Sequence, residues 1–179
     1  VSYEGLSFDR ERAVIRRDHT ATVISYGEGL KKGLLVNGIG ITVLSSAPKF
    51  MAHLPMAFHE GRADTALVIC FGMGTTYRSL LSWGADTTAV ELVPSVKEAF
   101  EYYFDDAAEL LKDRKGRVVI DDGRRFLKRT QEVFDVITVD PPPPAEDSIS
   151  GTVTLNCAPL AGATVTDFMT NTSTVFRTT

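Results

Sequence analysis

The chain has 179 residues, 44% of them hydrophobic and 23% charged, enough for one large or two small globular units with a proper core. Nineteen basic side chains against 23 acidic ones give a net charge of −4, so no nucleic-acid or anionic-membrane surface is indicated, and the sign favours a small cationic substrate. No apolar run reaches the roughly 18 residues that span a bilayer, and the N-terminus lacks a signal-peptide pattern; a start at Val1 rather than Met leads us to expect a piece cut from something longer.

Residues 1–45 read as strands. The segments ERAVIRR, TATVISYG and GLLVNGIGITVL cluster β-branched residues between turn signals at Asp18, Gly27, Gly29 and Asn37-Gly38, which predicts a small antiparallel hairpin domain. From Lys49 the pattern turns helical, with Phe50, Met51, Leu54 and Phe58 on one spacing and Pro55 expected to end or kink the helix. The next stretch alternates apolar strands with helices: strand TALVICF, helix TTYRSLLSW, strand TTAVEL, helix PSVKEAFEYYF, strand RVVID, helix GRRFLKR and strand FDVITVD. Four short apolar strands separated by helices predict a parallel α/β sheet with right-handed crossovers over residues 46–146. The fourth strand is expected to present an open edge that tail strands or another chain must cover.

Composition changes after Glu146. Between Asp147 and Thr179 only Asp147, Asp167 and Arg177 are charged while nine residues are threonine, and GTVTLNCAPLAGATVTDF alternates as a β-hairpin does. Residues 147–179 are therefore expected to form a β-rich tail, similar to the opening hairpin of carboxypeptidase-regulatory-like β-sandwich modules but too short for a whole sandwich.

The strand-turn-helix-strand run from Ala66 to Glu91 is half of a nucleotide-binding βαβ unit. Gly72 and Gly74 would let backbone approach a ligand closely, and Glu91, closing the second strand 17 residues after Gly74, can accept both hydroxyls of a ribose, which points to an adenosine-containing ligand. A solvated strand-end carboxylate is the plainer reading of Glu91. Asp121-Asp122-Gly123 closes the third strand, where alternation turns one carboxylate to the ligand crevice; Asp122, beside the permissive Gly123, is expected to contact an adenine amino group, with a helix N-cap as the alternative. Asp140 stands at the carboxyl end of the fourth strand ahead of Pro141 to Pro144, placed to hold an amine and accept its proton, or else to start a turn. Cys70 reads as a small core residue and Cys157 as free, paired to another chain or merely tolerated. The two match no metal spacing, and no metal is expected. His19, His53 and His59 form no site in sequence, and Trp83 with Phe100, Tyr102, Tyr103 and Phe104 reads as helix packing.

Taken in order, LLVNGIG, MAHLPMAFH, the glycine turn, VEL, VIDDGRRFL and DVITVDPPPP resemble the spermidine synthase family of aminopropyltransferases over about residues 10–146. The resemblance implies an N-terminal β-hairpin domain followed by a methyltransferase-type Rossmann fold. It implies that Gly72 and Gly74 wrap decarboxylated S-adenosylmethionine, or S-adenosylmethionine, bound as a substrate, that Glu91 takes the ribose hydroxyls and Asp122 the adenine, and that Asp140 orients and deprotonates the attacking amine. Three features depart from the family pattern. Ala47 and Lys49 occupy the positions of its polyamine-binding Tyr-x-Glu; Met73 replaces an acid that grips the ligand's amino group, with no second acid after Asp140 either; and only four of about seven strands precede the tail. The expected function is thus a spermidine synthase-like protein that binds an adenosyl ligand and transfers an aminopropyl group to an unidentified amine. A non-catalytic assembly or surface protein, with the Rossmann half as scaffold and the tail pairing with a neighbour, is the alternative, and a methyltransferase shares the fold. Expected partners are a small amine and a second copy or another chain at the open edge, with no nucleic acid. The Rossmann portion fits the cytoplasm, whereas the tail hints at an exported context.

Overall fold

The computed structural model describes residues 13–140 together with two short strands at Thr164–Thr166 and Ser173–Val175. The proline run 141–144, Cys157 and most of the tail lie outside the described residues.

Four strands, β1 (Val14–Arg17), β2 (Thr22–Tyr26), β3 (Gly33–Val36) and β4 (Ile39–Val43), pair in that order as an antiparallel sheet. Asn37 and Gly38, both at positive φ, form the two-residue turn that sets Val36 opposite Ile39, as the Asn-Gly pair predicts. The central strands carry the buried residues Val23, Ile24, Leu34 and Leu35, while β1 and β4 lie at the edges with much of their apolar surface exposed.

Helix α1 (Ala47–Phe58) begins two residues before Lys49 and runs through Pro55 without ending there. Its inner face, Met51, Ala52 and Met56, is buried, and that packing offsets the one hydrogen bond the proline cannot donate. Strands β5 (Thr65–Ile69), β6 (Asp86–Glu91), β7 (Gly116–Ile120) and β8 (Val136–Val139) then form a parallel sheet in the order β7-β6-β5-β8. The interior strands β5 and β6 are almost continuously buried, as runs such as TALVI and TTAVE predict for a sheet covered on both faces. The start of β8 is fixed by Asp135, whose Oδ2 accepts from the Asp64 amide (2.8 Å) and the Thr65 amide (2.9 Å) and hydroxyl (3.0 Å).

The helices differ in detail from the sequence pattern. Helix α2 (Thr75–Leu81) stops short of Trp83, which is half exposed and donates from Nε1 to His53 Nδ1 at 2.8 Å rather than packing inside a helix. The expected helix from Pro94 to Phe104 is split into α3 (Pro94–Glu98) and α4 (Phe100–Tyr103) at Ala99, whose amide is shared between the Ser95 and Val96 carbonyls, both at 3.1 Å. That tightening toward three-residue spacing ends one helix and starts the next. A further short helix, α5 (Ala107–Leu110), precedes β7, and α6 (Gly123–Arg129) follows it.

One core runs through both sheets: Val23 and Leu34 from the antiparallel sheet cluster with Ala66, Val68, Tyr77, Leu80, Ala89, Phe100 and Tyr103. The architecture is the mixed α/β arrangement expected, an antiparallel sheet beside a Rossmann-type parallel sheet. Among the described residues no strand is hydrogen-bonded to the outer edge of β8; β9 (Thr164–Thr166) lies near it but pairs antiparallel with β10 (Ser173–Val175) instead.

Candidate functional site

The chain leaves β5, builds β6 and β7 to one side, and returns to place β8 on the other, so the sheet order reverses beside β5. In open α/β sheets the carboxyl ends of the strands at such a reversal flank a crevice that binds ligands. The residues there are Cys70 and Gly72 after β5, Glu91 at the end of β6, Asp121 to Gly123 after β7, and Asp140 after β8. Backbone bonds lock their relative positions: the Cys70 amide donates to the Val90 carbonyl (2.9 Å), the Asp140 amide to the Ile69 carbonyl (3.0 Å) and the Asp121 amide to the Glu91 carbonyl (2.9 Å).

The two glycines of the turn do different things. Gly72 has φ +53° and nothing within 4 Å of where a Cβ would stand, so a ligand can approach that side of its backbone. Gly74, at φ +78°, would drive a Cβ into the Phe100 ring and to 2.9 Å from Phe71 Cζ. Its lack of a side chain serves the packed aromatic group of Phe71, Tyr77 and Phe100. Met73 is buried in the same core.

Cys70 departs from its expected role as a small core residue. It is partly exposed, adopts φ +72° without being a glycine, and feels the charges of both Glu91 and Asp140. Burial and then those two carboxylates push its thiol up to about 12, so it stays neutral and is no nucleophile. Left-handed backbone at a residue with a Cβ costs about 1–2 kcal/mol, and such strain clusters at functional sites.

Glu91 is buried, not a solvated strand end, and its carboxylate closes the glycine turn. Oε2 accepts from the amides of Phe71 (3.0 Å) and Gly72 (3.3 Å), and Oε1 from that of Val93 (2.9 Å). Burial raises its pKa, and the amides of Val93, Gly72, Phe71 and Leu92 hold it partly back. A carboxylate offers about four acceptor positions, so Oε1, with a single donor among these bonds, is the atom with capacity for a hydroxyl.

Asp122 caps α6. Its Oδ1 accepts from the Arg124 (2.9 Å) and Arg125 (3.0 Å) amides and its Oδ2 from the Arg124 guanidinium (3.3 Å); the Arg125 amide and the Arg124 side chain hold its carboxyl below the usual range. The neighbouring Asp121 is paired with Arg125. Gly123 is a close-packing position, because a Cβ there would stand 2.5 Å from Ile69 Cγ2, and this brings the start of α6 against the end of β5.

Asp140 is half-buried, and burial raises its pKa while the Thr76 hydroxyl opposes the rise. Thr76 is buried on the first turn of α2 and also donates to the Pro48 carbonyl on α1 at 3.0 Å. Sequence reading missed Thr76 and the conformation of Cys70. The four-residue spacing from Gly72 to Thr76 puts the threonine just inside the helix that opens over the crevice, which was the one signal available. Lys49 stands exposed in the first turn of α1, next to Pro48. No group of three His, Cys, Asp or Glu side chains placed to hold a metal occurs among the described residues, and no described helix is long and apolar enough to cross a membrane.

Residues 46–150 match the family model described as the spermine/spermidine synthase domain. Among curated relatives, the chain is 28% identical over 120 residues to a polyamine aminopropyltransferase of Thermoplasma volcanium, covering 62% of this chain and 44% of that protein. It is 32% identical over 117 residues to one of Leptospira biflexa, covering 60% and 41%. A spermidine synthase solved in complex with the transition state analogue AdoDATO superposes with TM-score 0.63 at 22% identity, over 74% of this chain and 49% of that one. The spermidine synthase of Thermotoga maritima gives 0.62 at 22% identity, over 77% and 50%. The chain therefore spans about half the length of these proteins or less. These matches favour the transferase reading over that of a non-catalytic scaffold.

Proposed function

Because the chain belongs to the spermine/spermidine synthase family, we propose that its crevice binds decarboxylated S-adenosylmethionine, or a closely related adenosyl ligand, and passes the aminopropyl group to a small amine. The observation that carries this reading is the convergence of Gly72, Glu91 and Asp140 at the carboxyl ends of three neighbouring strands. In it the ribose lies over the open side of Gly72 with a hydroxyl on Glu91 Oε1, and the adenine lies toward Asp122 and Gly123. Asp122 already serves as a helix cap, so its free share toward an adenine amino group is Oδ2, and the ligand competes there with Arg124.

The chemistry is a displacement at the carbon beside the sulfonium. The amine nitrogen forms the new C–N bond, the C–S bond breaks with its electron pair returning to sulfur, and methylthioadenosine leaves as a neutral thioether. The attacking amine must be deprotonated, and Asp140 is the base. A carboxyl whose pKa is raised by burial holds that proton better than an ordinary surface aspartate. The walls contribute orientation and the removal of water around the sulfonium.

The acceptor departs from a long polyamine. Lys49 places a positive charge at the exposed start of α1, where a second ammonium group of a diamine would be repelled. A monoamine, or an amine with an anionic tail, is the acceptor class this favours. The cytoplasmic setting expected from the Rossmann portion goes with this reading.

Calorimetric titration with methylthioadenosine, S-adenosylmethionine and its decarboxylated form tests the reading. Glu91→Gln is the control to use, since Glu91→Ala would strip the turn amides of Phe71, Gly72 and Val93 of their acceptor and confuse loss of ligand with loss of the turn. Binding by the parent chain that falls at least tenfold in the Gln variant supports the adenosyl site. No binding by folded protein overturns it.

A further inference from the structure

We propose that the exposed face of α1 is the contact between two copies of this chain, paired as antiparallel helices about a twofold axis at Leu54. Phe50, Leu54 and Phe58 follow one another at four-residue intervals, so they share one side of the helix. All three face outward, Phe58 with 81% of its surface exposed and Phe50 with 51%, while Met51, Ala52 and Met56 on the other side enter the core. Trp83 continues the patch beyond the helix. It is half exposed, and its Nε1 donates to His53 Nδ1 at 2.8 Å, which holds the indole beside α1. Exposed apolar residues are ordinary one at a time, but a row of large ones flanked by an indole marks a surface built to be covered.

The order of residues along the helix identifies the occupant. A twofold contact brings one patch against itself, and this patch is symmetric about its middle: Phe50 and Phe58 stand four residues to either side of Leu54. Antiparallel pairing sets Leu54 on its own copy and each Phe50 on the partner's Phe58. The charges follow the same symmetry with opposite sign. Lys49 lies five residues before Leu54 and Glu60 six after it, both exposed and neither in an ion pair among the described residues. The pairing therefore brings each Lys49 beside the partner's Glu60, whereas a parallel pair would set like charges together. Lys49 keeps its charge in the pair but shares it with a carboxylate, so its repulsion of a diamine is strongest in the separate chain. A contact between two 12-residue helices is small beside the roughly 1,200 Å² of lasting complexes, and the dimer is expected to dissociate on dilution.

Sedimentation velocity of the whole chain over about a hundredfold range of concentration tests this, with acrylamide quenching of Trp83, the chain's single tryptophan, read in parallel. The parent is expected to rise toward twice the monomer mass as Trp83 becomes less accessible. Leu54→Glu sets two like charges on the axis and is expected to stay monomeric throughout. Lys49→Glu should weaken association about tenfold, because two attractions become two repulsions, and adding Glu60→Lys should restore it. Phe58→Ser, at the most exposed position, takes the place of Leu54→Glu if that variant does not fold. A parent that remains monomeric overturns the proposal. So does a double variant no stronger than Lys49→Glu alone, or a dimer that survives the Leu54 or Phe58 change with Trp83 still open to quencher, as one joined at the β8 edge would.

Discussion

The seam between the antiparallel sheet and the α/β unit and the crevice at the strand ends are built from similar polar groups put to opposite uses. At the seam, Asp18, Lys32, Tyr102 and Tyr103 are all held by hydrogen bonds. Asp18, in the turn after β1, accepts from the Thr20 (2.6 Å) and Ala21 (2.9 Å) amides and reaches across to the Ser95 amide (2.7 Å), capping the start of α3 from a different sheet. Lys32 Nζ donates to the carbonyls of Tyr102 (2.7 Å) and Tyr103 (3.2 Å), the Tyr102 hydroxyl donates to the Gly27 carbonyl (2.7 Å), and the Tyr103 hydroxyl donates to Ser25 Oγ (2.8 Å). In the crevice, by contrast, Glu91 and Asp140 are carboxyls whose charge burial opposes, Cys70 holds strained backbone, and Gly72 faces empty space. The crevice keeps groups away from their most comfortable state, which is what binding and proton transfer require.

The largest effect that would sharpen this contrast lies within the glycine turn itself, where the two regions meet. Gly74→Ala forces a Cβ into the Phe100 ring at positive φ and is expected to cost about 3 kcal/mol. Gly72→Ala, in open space, should cost only about 1 kcal/mol, from φ alone, yet impair ligand binding more. Denaturant midpoints and calorimetry on the two variants check it; equal stability losses would erase the distinction between a packing glycine and a ligand-facing one.

At the seam, Asp18→Ala leaves three amides without their acceptor and is expected to cost about 2 kcal/mol at neutral pH. Burial works against the Asp18 charge, but the Ser95 hydroxyl and the amides of Ser95, Ala21 and Thr20 hold its carboxyl well below its ordinary value of 3.8. The folded state therefore binds this proton less readily than the unfolded one. The stability Asp18 supplies is present above pH 3.8 and disappears as the pH falls toward the lowered folded value, so the gap between parent and variant should close in acid. A gap independent of pH would mean that the side chain acts by packing alone.

These regions were unequally legible in the sequence. The parallel strands, the Asn37-Gly38 turn and the strand-glycine-helix order all declare themselves through local pattern, since each depends on residues adjacent in the chain. The break at Ala99, the continuation of α1 through Pro55 and the short α5 depend on what packs against them, and periodicity carries no record of that. Within the crevice, the carboxylates could be placed at strand ends by counting, but their partners could not. That Glu91 holds the Phe71 and Gly72 amides of the glycine turn, that Gly123 abuts Ile69, and that Thr76 binds the Pro48 carbonyl are facts of tertiary approach over 19 or more residues of sequence.

Smaller in size and opposite in sign is Cys70→Gly. Glycine adopts φ +72° freely, so removing the Cβ relieves strain at the crevice while raising the entropy of the unfolded chain, for an expected net stabilisation of about 1 kcal/mol. Thermal unfolding of the two proteins measures it. A loss of stability would show that the thiol's contacts outweigh the backbone strain, and the crevice would then resemble the seam more closely than its geometry suggests.

The smallest expected effect separates the two regions by sign alone. Burial raises the Asp140 pKa above its ordinary 3.8, so here the folded state binds the proton more tightly than the unfolded one. Ionisation therefore costs stability, and that cost grows as pH rises from 3.8 through the raised folded value, the reverse of the behaviour at Asp18. Asp140→Asn, which keeps the shape and an acceptor for Thr76 but cannot ionise, should be as stable as the parent in acid and more stable at neutral pH, while losing transfer activity. Unfolding curves for both proteins from acid to neutral pH would show the lines diverging as the pH rises. If they instead diverge in acid, Asp140 is a stabilised charge like Asp18, and the site would hold a carboxylate too comfortable to take a proton from an amine.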